Sequence, residues 1–377
     1  MRTVIGFDGK RRQLDEGQFL EYKRIKSEYD FWERKQGVRK VLLNSTYGAL
    51  LNDYFRFSNV NMGQSVTLSG RVVMRHMAKQ TNREITGTYA FGDSIIYGDT
   101  DSAYFTLQSK FGRDASIDDV VREADQICMR VNESMAREMA RSFFIPESRN
   151  TISVGREIVG RRGLFKDGKK RYAIAIVDKE GTRAQSMKIM GMDTKRTEIP
   201  EFVRRFLKEC IEAVVRDGKG ERDIRAMAME FIAKFKQMPP WEIGRLSKVS
   251  NLSQGTFKLR RFQAGEIPNP RLHFSVVAAI NMNRYIEYHR DGGLEPIRDG
   301  DKAIIFDLKK SPSTNPLELD SIALPVGARF IPQWFKDLPF NMDSMVEKLI
   351  HRKLEVTFGV LGWSLRPPES AADDVFG

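Results

Sequence analysis

The sequence predicts an α+β protein. Three observations point there: long charged stretches with apolar residues at helical spacing, a short apolar hairpin at residues 93–107, and strand-like stretches at 151–159, 171–178 and 186–190.

Residues 1 to about 11 read as a short, loosely structured leader. From Asp15 a charged helical stretch runs towards Lys35, carrying Phe19, Tyr22, Ile25, Tyr29 and Phe31. After Gly37 a second helical segment is expected from Val38 to Leu51. Met62 to Glu84 reads as another helix, with small and apolar residues on one stripe, and leads into the hairpin. Ile117 to Phe144 is amphipathic and helical. A strongly basic loop from Arg161 to Arg171, including Arg162, Lys169 and Lys170, separates the first two of the later strands. From Pro200 the character changes: helices at 200–216 and 221–237, then mixed material to about 358, suggest a second region with its boundary near 195. The end, Leu365-Arg366-Pro367-Pro368-Glu369 onward, cannot continue a packed helix and reads as a flexible tail.

At 377 residues the chain is long enough for two to three domains with substantial cores. Its net charge of +12 and pI near 9.6 point to a polyanionic partner, usually nucleic acid; a generally basic surface is the plainer alternative. Two cysteines, Cys128 and Cys210, have no zinc spacing and no disulfide framework, which fits a reducing cytoplasmic setting. The four histidines are scattered. No run approaches the roughly 18 apolar residues of a membrane span, so no membrane partner is expected.

Ile96-Tyr97-Gly98-Asp99-Thr100-Asp101-Ser102-Ala103-Tyr104-Phe105 is the most informative segment. Ile95 to Tyr97 form an incoming strand, Gly98 is expected to allow the turn, and Ala103 to Leu107 run out again. Alternate residues of an extended chain share a side, so Asp99 and Asp101 can face one hydrated divalent cation while Thr100 faces away. Magnesium is typically held by one or two carboxylates plus substrate phosphates. The hairpin tip is therefore a candidate phosphoryl-transfer centre, although Asp and Ser also populate turns for backbone reasons alone.

Val38 to Leu50 supplies a companion. On a helix turning about 100° per residue, Lys40, Asn44 and Tyr47 share a face, with Gly48 close by. That face offers an ammonium for a triphosphate, an amide, and a ring to pack on a base pair; Gly48 permits close backbone approach. An amphipathic helix with solvated polar residues would look similar.

Lys-x3-Asn-Ser-x-Tyr-Gly-Ala-Leu followed about 50 residues later by Tyr-Gly-Asp-Thr-Asp-Ser resembles family B DNA polymerases, in their nucleotide-binding fingers motif and catalytic palm motif. Lys169-Lys170-Arg171-Tyr172 resembles the family's basic-tyrosine motif beside the primer terminus. Lys188-Ile189-Met190-Gly191-Met192 resembles the palm-to-thumb junction of T-even phage polymerases. Ala372-Asp373-Asp374-Val375-Phe376-Gly377 resembles the C-terminal peptide by which those enzymes hold a sliding clamp.

The resemblance implies a partial right-hand fold: a fingers remnant at 1–57, an antiparallel-sheet palm with the catalytic hairpin at 58–195, a mixed thumb at 196–363, and a tail at 364–377. It implies two magnesium ions, with Asp101 the principal ligand and Asp99 a supporting one, and Glu157 as a possible outer acid. Lys40 would meet the β/γ-phosphates, Asn44 would position the dNTP, and Tyr47 would pack against the nascent pair. Arg161, Arg162, Lys169, Lys170, Arg171 and Tyr172 would hold primer-template DNA, and Val375 and Phe376 a sliding clamp. The family's first palm aspartate, in an Asp-x-x-Ser-Leu-Tyr-Pro-Ser string, is missing, as are the exonuclease signature and the other fingers helix. Met1 and the clamp-like end suggest a complete reading frame. The expectation is therefore one subunit of a split-gene polymerase, working in an infected host's cytoplasm and completed by an N-terminal half with the exonuclease. Two other classes remain open: a non-catalytic DNA- or clamp-binding replication factor, and a glycosyltransferase using Asp-x-Asp.

Overall fold

In the computed structural model, which describes residues 2–5, 11–112, 115–311, 315 and 319–366, the expected leader is a pair of strands. β1 (Arg2–Ile5) runs antiparallel to β2 (Arg11–Leu14), with Arg2 opposite Leu14 and Ile5 opposite Arg11. Thr3 and Val4 are β-branched and suit a pleated surface, and Val4 is buried.

Asp15 then starts α1 (Glu16–Leu50) through a capping box: Gln18 N donates to its carboxylate at 2.8 Å, and Asp15 N donates to the Gln18 side chain at 3.1 Å. The break expected after Gly37 is absent, and one 35-residue helix runs through it. A glycine inside a helix costs about 1 kcal/mol relative to alanine, whereas a break would require a second costly nucleation. No residue of α1 is buried. Leu20, Phe31, Val38 and Leu42 lie within about 40° on the helical wheel, and Ile25, Tyr29, Trp32 and Leu43 within about 60° on another side; all eight are exposed.

α2 (Val60–Thr86) is capped by Asn59 and ends at Gly87, whose φ of 83° suits a residue without a Cβ. Leu51 at the end of α1 packs on Gly63 of α2 so closely that a Cβ there would fall 2.2 Å from Leu51 Cδ2. The hairpin follows, β3 (Ile95–Asp99) antiparallel to β4 (Ser102–Phe105), then a single turn α3 (Gln108–Phe111) and α4 (Ile117–Phe143), capped by Ser116. Ala124, Ile127, Val131, Met135 and Met139 recur every three or four residues on α4. They meet Met77 and Ile85 of α2, with Ala103 and Phe105 of β4 packed alongside.

β5 (Ile158–Phe165), β6 (Tyr172–Lys179) and β7 (Thr182–Met190) form a sheet in that order. The first strand starts later than expected, at Ile158. It takes Arg161 and Arg162 out of the expected basic loop, which shrinks to residues 166–171. Glu180 and Gly181 both have positive φ, 50° and 87°, as a two-residue type I′ hairpin requires.

α5 (Glu201–Val215) and α6 (Glu221–Gln237) match their expected ranges closely. Beyond them come β8 (Arg245–Lys248), α7 (Leu252–Gln263), α8 (Phe274–His289), β9 (Lys302–Asp307) and β10 (Ser321–Pro325). The chain then continues through α9 (Gln333–Lys336), α10 (Met342–Val346), a π-helical turn at Glu347–His351 and α11 (Arg352–Phe358). β9 is the central strand of an antiparallel sheet, between β8 and β10. A single core joins Phe206, Leu207 and Ile211 of α5 to Met282 and Tyr285 of α8 and to Ile350, Leu354 and Phe358. Phe206 stacks on Phe231 of α6 at 4.0 Å. Cys210 is fully buried in this core; burial pushes its thiol up to about 12, so it serves as packing.

The chain forms two compact units, Met1–Gly160 with Ile176–Ser186, and Arg161–Ala175 with Met187–Gly377. They interleave in sequence within β5 to β7 and are coarser than the four-part division expected from the sequence.

Candidate functional site

Gly98 is not the turn. It lies in the ladder opposite Ala103, and Asp99 pairs with Ser102, leaving Thr100 and Asp101 as the two-residue tip. Thr100 has φ of 53°, a region that costs a β-branched residue about 1–3 kcal/mol. The Asp101 N–H donates to the Asp99 carbonyl at 2.6 Å, closing a three-residue turn around it. The chain is therefore not extended from Asp99 to Asp101, and strand alternation does not set the directions of the two carboxylates. Thr100 Oγ1 donates to Asp99 Oδ1 at 3.1 Å, and Ser102 Oγ donates to the Asp99 carbonyl at 3.2 Å. Asp99 is half-buried and Asp101 exposed.

The base of the hairpin is fixed by a residue that the sequence reading passed over. Asn82, buried in α2, accepts from Ser94 Oγ at 2.5 Å and donates to the Thr88 carbonyl at 2.8 Å. Thr106 N donates to the Ser94 carbonyl, joining the outgoing strand to the same anchor. A Cβ on Gly92 would fall 2.5 Å from the Asn82 side chain, so the approach turn also closes on Asn82. α2 contacts α1 as well as both hairpin strands, and so supports both expected motifs.

On α1, Lys40 and Asn44 are exposed and Tyr47 is half-buried, on one face of a continuous helix. A Cβ on Gly48 would meet nothing within 4 Å, so this chain's own packing does not require a glycine there. Glu157 is exposed, and its carbonyl accepts from Glu180 N at 2.9 Å. Its neighbour Arg156 is the more constrained group. Its guanidinium is buried between Asp125 (2.7 Å) and Asp178 (2.5 Å), and the Asp125 hydrogen bond leads the forces holding its pKa above the ordinary value. Among the described residues no three His, Cys, Asp or Glu side chains group to hold a metal. Asp99 and Asp101 are the right donor type for magnesium, which two carboxylates and substrate phosphates can satisfy.

In the second unit the six basic-motif residues separate into different roles. Arg161 is exposed on β5. Arg162 donates from Nη1 to the Arg216 carbonyl at 3.3 Å, at the C-terminus of α5, where a cation suits the helix dipole. Lys169 and Lys170 are exposed in the tight connection closed by Lys166 N donating to the Arg171 carbonyl at 3.0 Å. Arg171 is half-buried. Tyr172 is buried, with its ring stacked on Phe165 at 5.7 Å. Arg162 and Tyr172 thus have partners within the unit, and Arg161, Lys169 and Lys170 are solvent-exposed. Val375 and Phe376 lie outside the described residues.

A sequence profile for DNA polymerase family B matches residues 17–239. The DNA-directed DNA polymerase of Escherichia phage RB69 is 28% identical over 339 residues, covering 84% of this chain and 36% of that protein. That of Enterobacteria phage T4 is 26% identical over 307 residues, covering 77% and 32% respectively. DNA polymerase II of Escherichia coli (strain K12) is 27% identical over 189 residues, covering 49% and 22%. The chain thus spans roughly a third of the length of the two phage relatives.

Proposed function

This chain belongs to DNA polymerase family B, and from that premise we propose that it is the C-terminal subunit of a template-directed DNA polymerase. It adds dNMPs to a primer 3′-hydroxyl once an N-terminal half supplies the exonuclease and the other catalytic aspartate. The observation that carries this reading is the shared support of the two motifs: the Asp99–Asp101 hairpin and the Lys40–Gly48 helix both rest on α2.

Two magnesium ions, when bound, would activate the primer hydroxyl and stabilise the leaving pyrophosphate. Asp101, exposed at the tip, is the principal ligand, with Asp99 supporting. Lys40 neutralises triphosphate charge, Asn44 orients it, and Tyr47 packs on the nascent pair. Lys169 and Lys170 grip the primer backbone, which positions the strand without reading sequence. Residues 1–57, 58–195 and 196–363 correspond to fingers remnant, palm and thumb, and the tail through Val375 and Phe376 engages a sliding clamp in the infected host's cytoplasm. No described helix is long and apolar enough to cross a membrane.

The proposal of a second polypeptide draws support from α1. Exposed apolar residues on two sides of a helix that buries nothing call for cover. In this proposal a fingers helix of the N-terminal half supplies it.

Primer extension by the chain alone, by the chain with the N-terminal half, and by that complex carrying Asp101→Ala tests the reading. Synthesis is expected from the second only. Robust magnesium-dependent extension by the chain alone would remove the split site; undiminished synthesis with Asp101→Ala would make the chain a non-catalytic replication factor.

A further inference from the structure

Within the second unit, a cavity of about 150 Å³ opens between the Lys166–Arg171 turn, the Gly191–Arg196 segment and α11. That is roughly the volume of five waters. Four cationic side chains from separate stretches of chain line it: Lys166, Arg171, Arg196 and Lys353. One carboxylate lines it too. Asp193 accepts from Arg196 Nε at 3.1 Å and from Lys353 Nζ at 3.1 Å, and its charge also favours the Lys166 ammonium, so one carboxylate is shared among the cations.

The wall is built to close tolerance. Gly191 has φ of 61°, and a Cβ there would fall 1.9 Å from the Lys170 carbonyl, so the junction glycine presses directly on the basic turn. Lys170 itself has φ of 60°. On the far wall Lys353 follows a π-helical turn, a feature frequent at functional sites. Burial, reinforced by Arg171 and opposed by Asp193, holds the Lys166 ammonium below its ordinary pKa.

We propose that this cavity is a phosphate-group site, held by Lys166, Arg171, Arg196 and Lys353 with Asp193 as the spacer between the last two. The chemistry fits a backbone phosphate of duplex DNA, and equally a free phosphate or pyrophosphate. Because Lys169 and Lys170 project from the same turn, a duplex lying on them would bring neighbouring phosphates to the cavity mouth; that part rests on the polymerase reading.

The test uses the full chain. A fluorescein-labelled primer–template duplex is titrated by anisotropy across a sodium chloride series, and inorganic phosphate is titrated separately by ³¹P NMR. The double variant Lys166→Gln/Lys353→Gln should weaken duplex binding about 10-fold and reduce the slope of log K against log salt by about 1. Lys208→Gln/Lys234→Gln removes the same charge from surface pairs with Glu212 and Glu230 and should leave the slope unchanged. Lys353→Arg, which keeps the charge, should retain binding, and circular dichroism confirms that each variant folds.

Saturable phosphate binding lost in the cavity double, with coincident duplex slopes, would assign the site to a free anion. Equal effects of the cavity and control doubles, with no difference in phosphate binding, would overturn the proposal. The polymerase reading would survive that result, because it stands or falls on primer extension by the assembled enzyme.

Discussion

Ser94 Oγ donates to Asn82 Oδ1 at 2.5 Å, between two residues almost wholly withdrawn from solvent, and this bond ties the β3–β4 hairpin to α2. Asn82→Ala strands both Ser94 Oγ and the Thr88 carbonyl without their partner. A loss of about 2 kcal/mol in urea unfolding is expected, with faster amide exchange at residues 94–106 than elsewhere in the first unit. Uniform exchange rates across the unit would show that the bond does not anchor the hairpin.

Thr100 occupies a backbone region that asparagine tolerates better than a β-branched residue. Thr100→Asn should raise stability by about 0.5–1 kcal/mol, read as an increase in Tm. A drop would mean that the Thr100 hydroxyl bond to Asp99 outweighs the strain.

Gly191→Ala sets a methyl against a backbone carbonyl, which cannot swing away as a flexible side chain can. The substitution should cost about 1–3 kcal/mol and speed exchange at residues 166–171. Wild-type stability in the alanine variant would show that the turn yields freely.

Acid should weaken the first unit through His76. Its ring bonds the Tyr89 hydroxyl and Ser134 Oγ, each at 2.9 Å, and burial holds its pKa below 6.5 against the opposing pull of Glu138. The unfolded chain therefore takes up a proton first. Stability is unaffected above pH 6.5, falls as pH drops below it, and levels off beneath the native pKa. His76→Gln should flatten that fall in urea midpoints taken from pH 7.5 to 5. His351, also held low by burial, titrates alike in both proteins and cancels in the difference. Parallel curves would exclude His76 as the source.

Much of the architecture was legible because it is local. α5 and α6 follow from apolar spacing within single helices, and the hairpin from two apolar runs around a polar tip. The sequence misplaced the turn, since Gly98 is the customary signal for positive φ and Thr100 took that role instead. It broke α1 at Gly37, where a continuous hydrogen-bond ladder overrides a weak local preference. Asn82 and Arg156 escaped notice for a different reason. Their importance lies in partners 12, 22 and 31 residues away, and pattern reading within one segment cannot see such pairs. Arg162 and Tyr172 likewise have partners, the Arg216 carbonyl and the Phe165 ring, that residue type alone does not reveal.

α1 has a mechanical consequence. Thirty-five residues at 1.5 Å each make a rod about 52 Å long, seated on α2 at its end by the contact between Leu51 and Gly63. If it pivots there by about 10°, Glu16 sweeps roughly 9 Å while Lys40, eleven residues from the pivot, moves only about 3 Å. The face that carries Lys40, Asn44 and Tyr47 thus sits near the fulcrum, and a modest push on the far end is geared down into a fine adjustment there, where the proposed function sets the triphosphate.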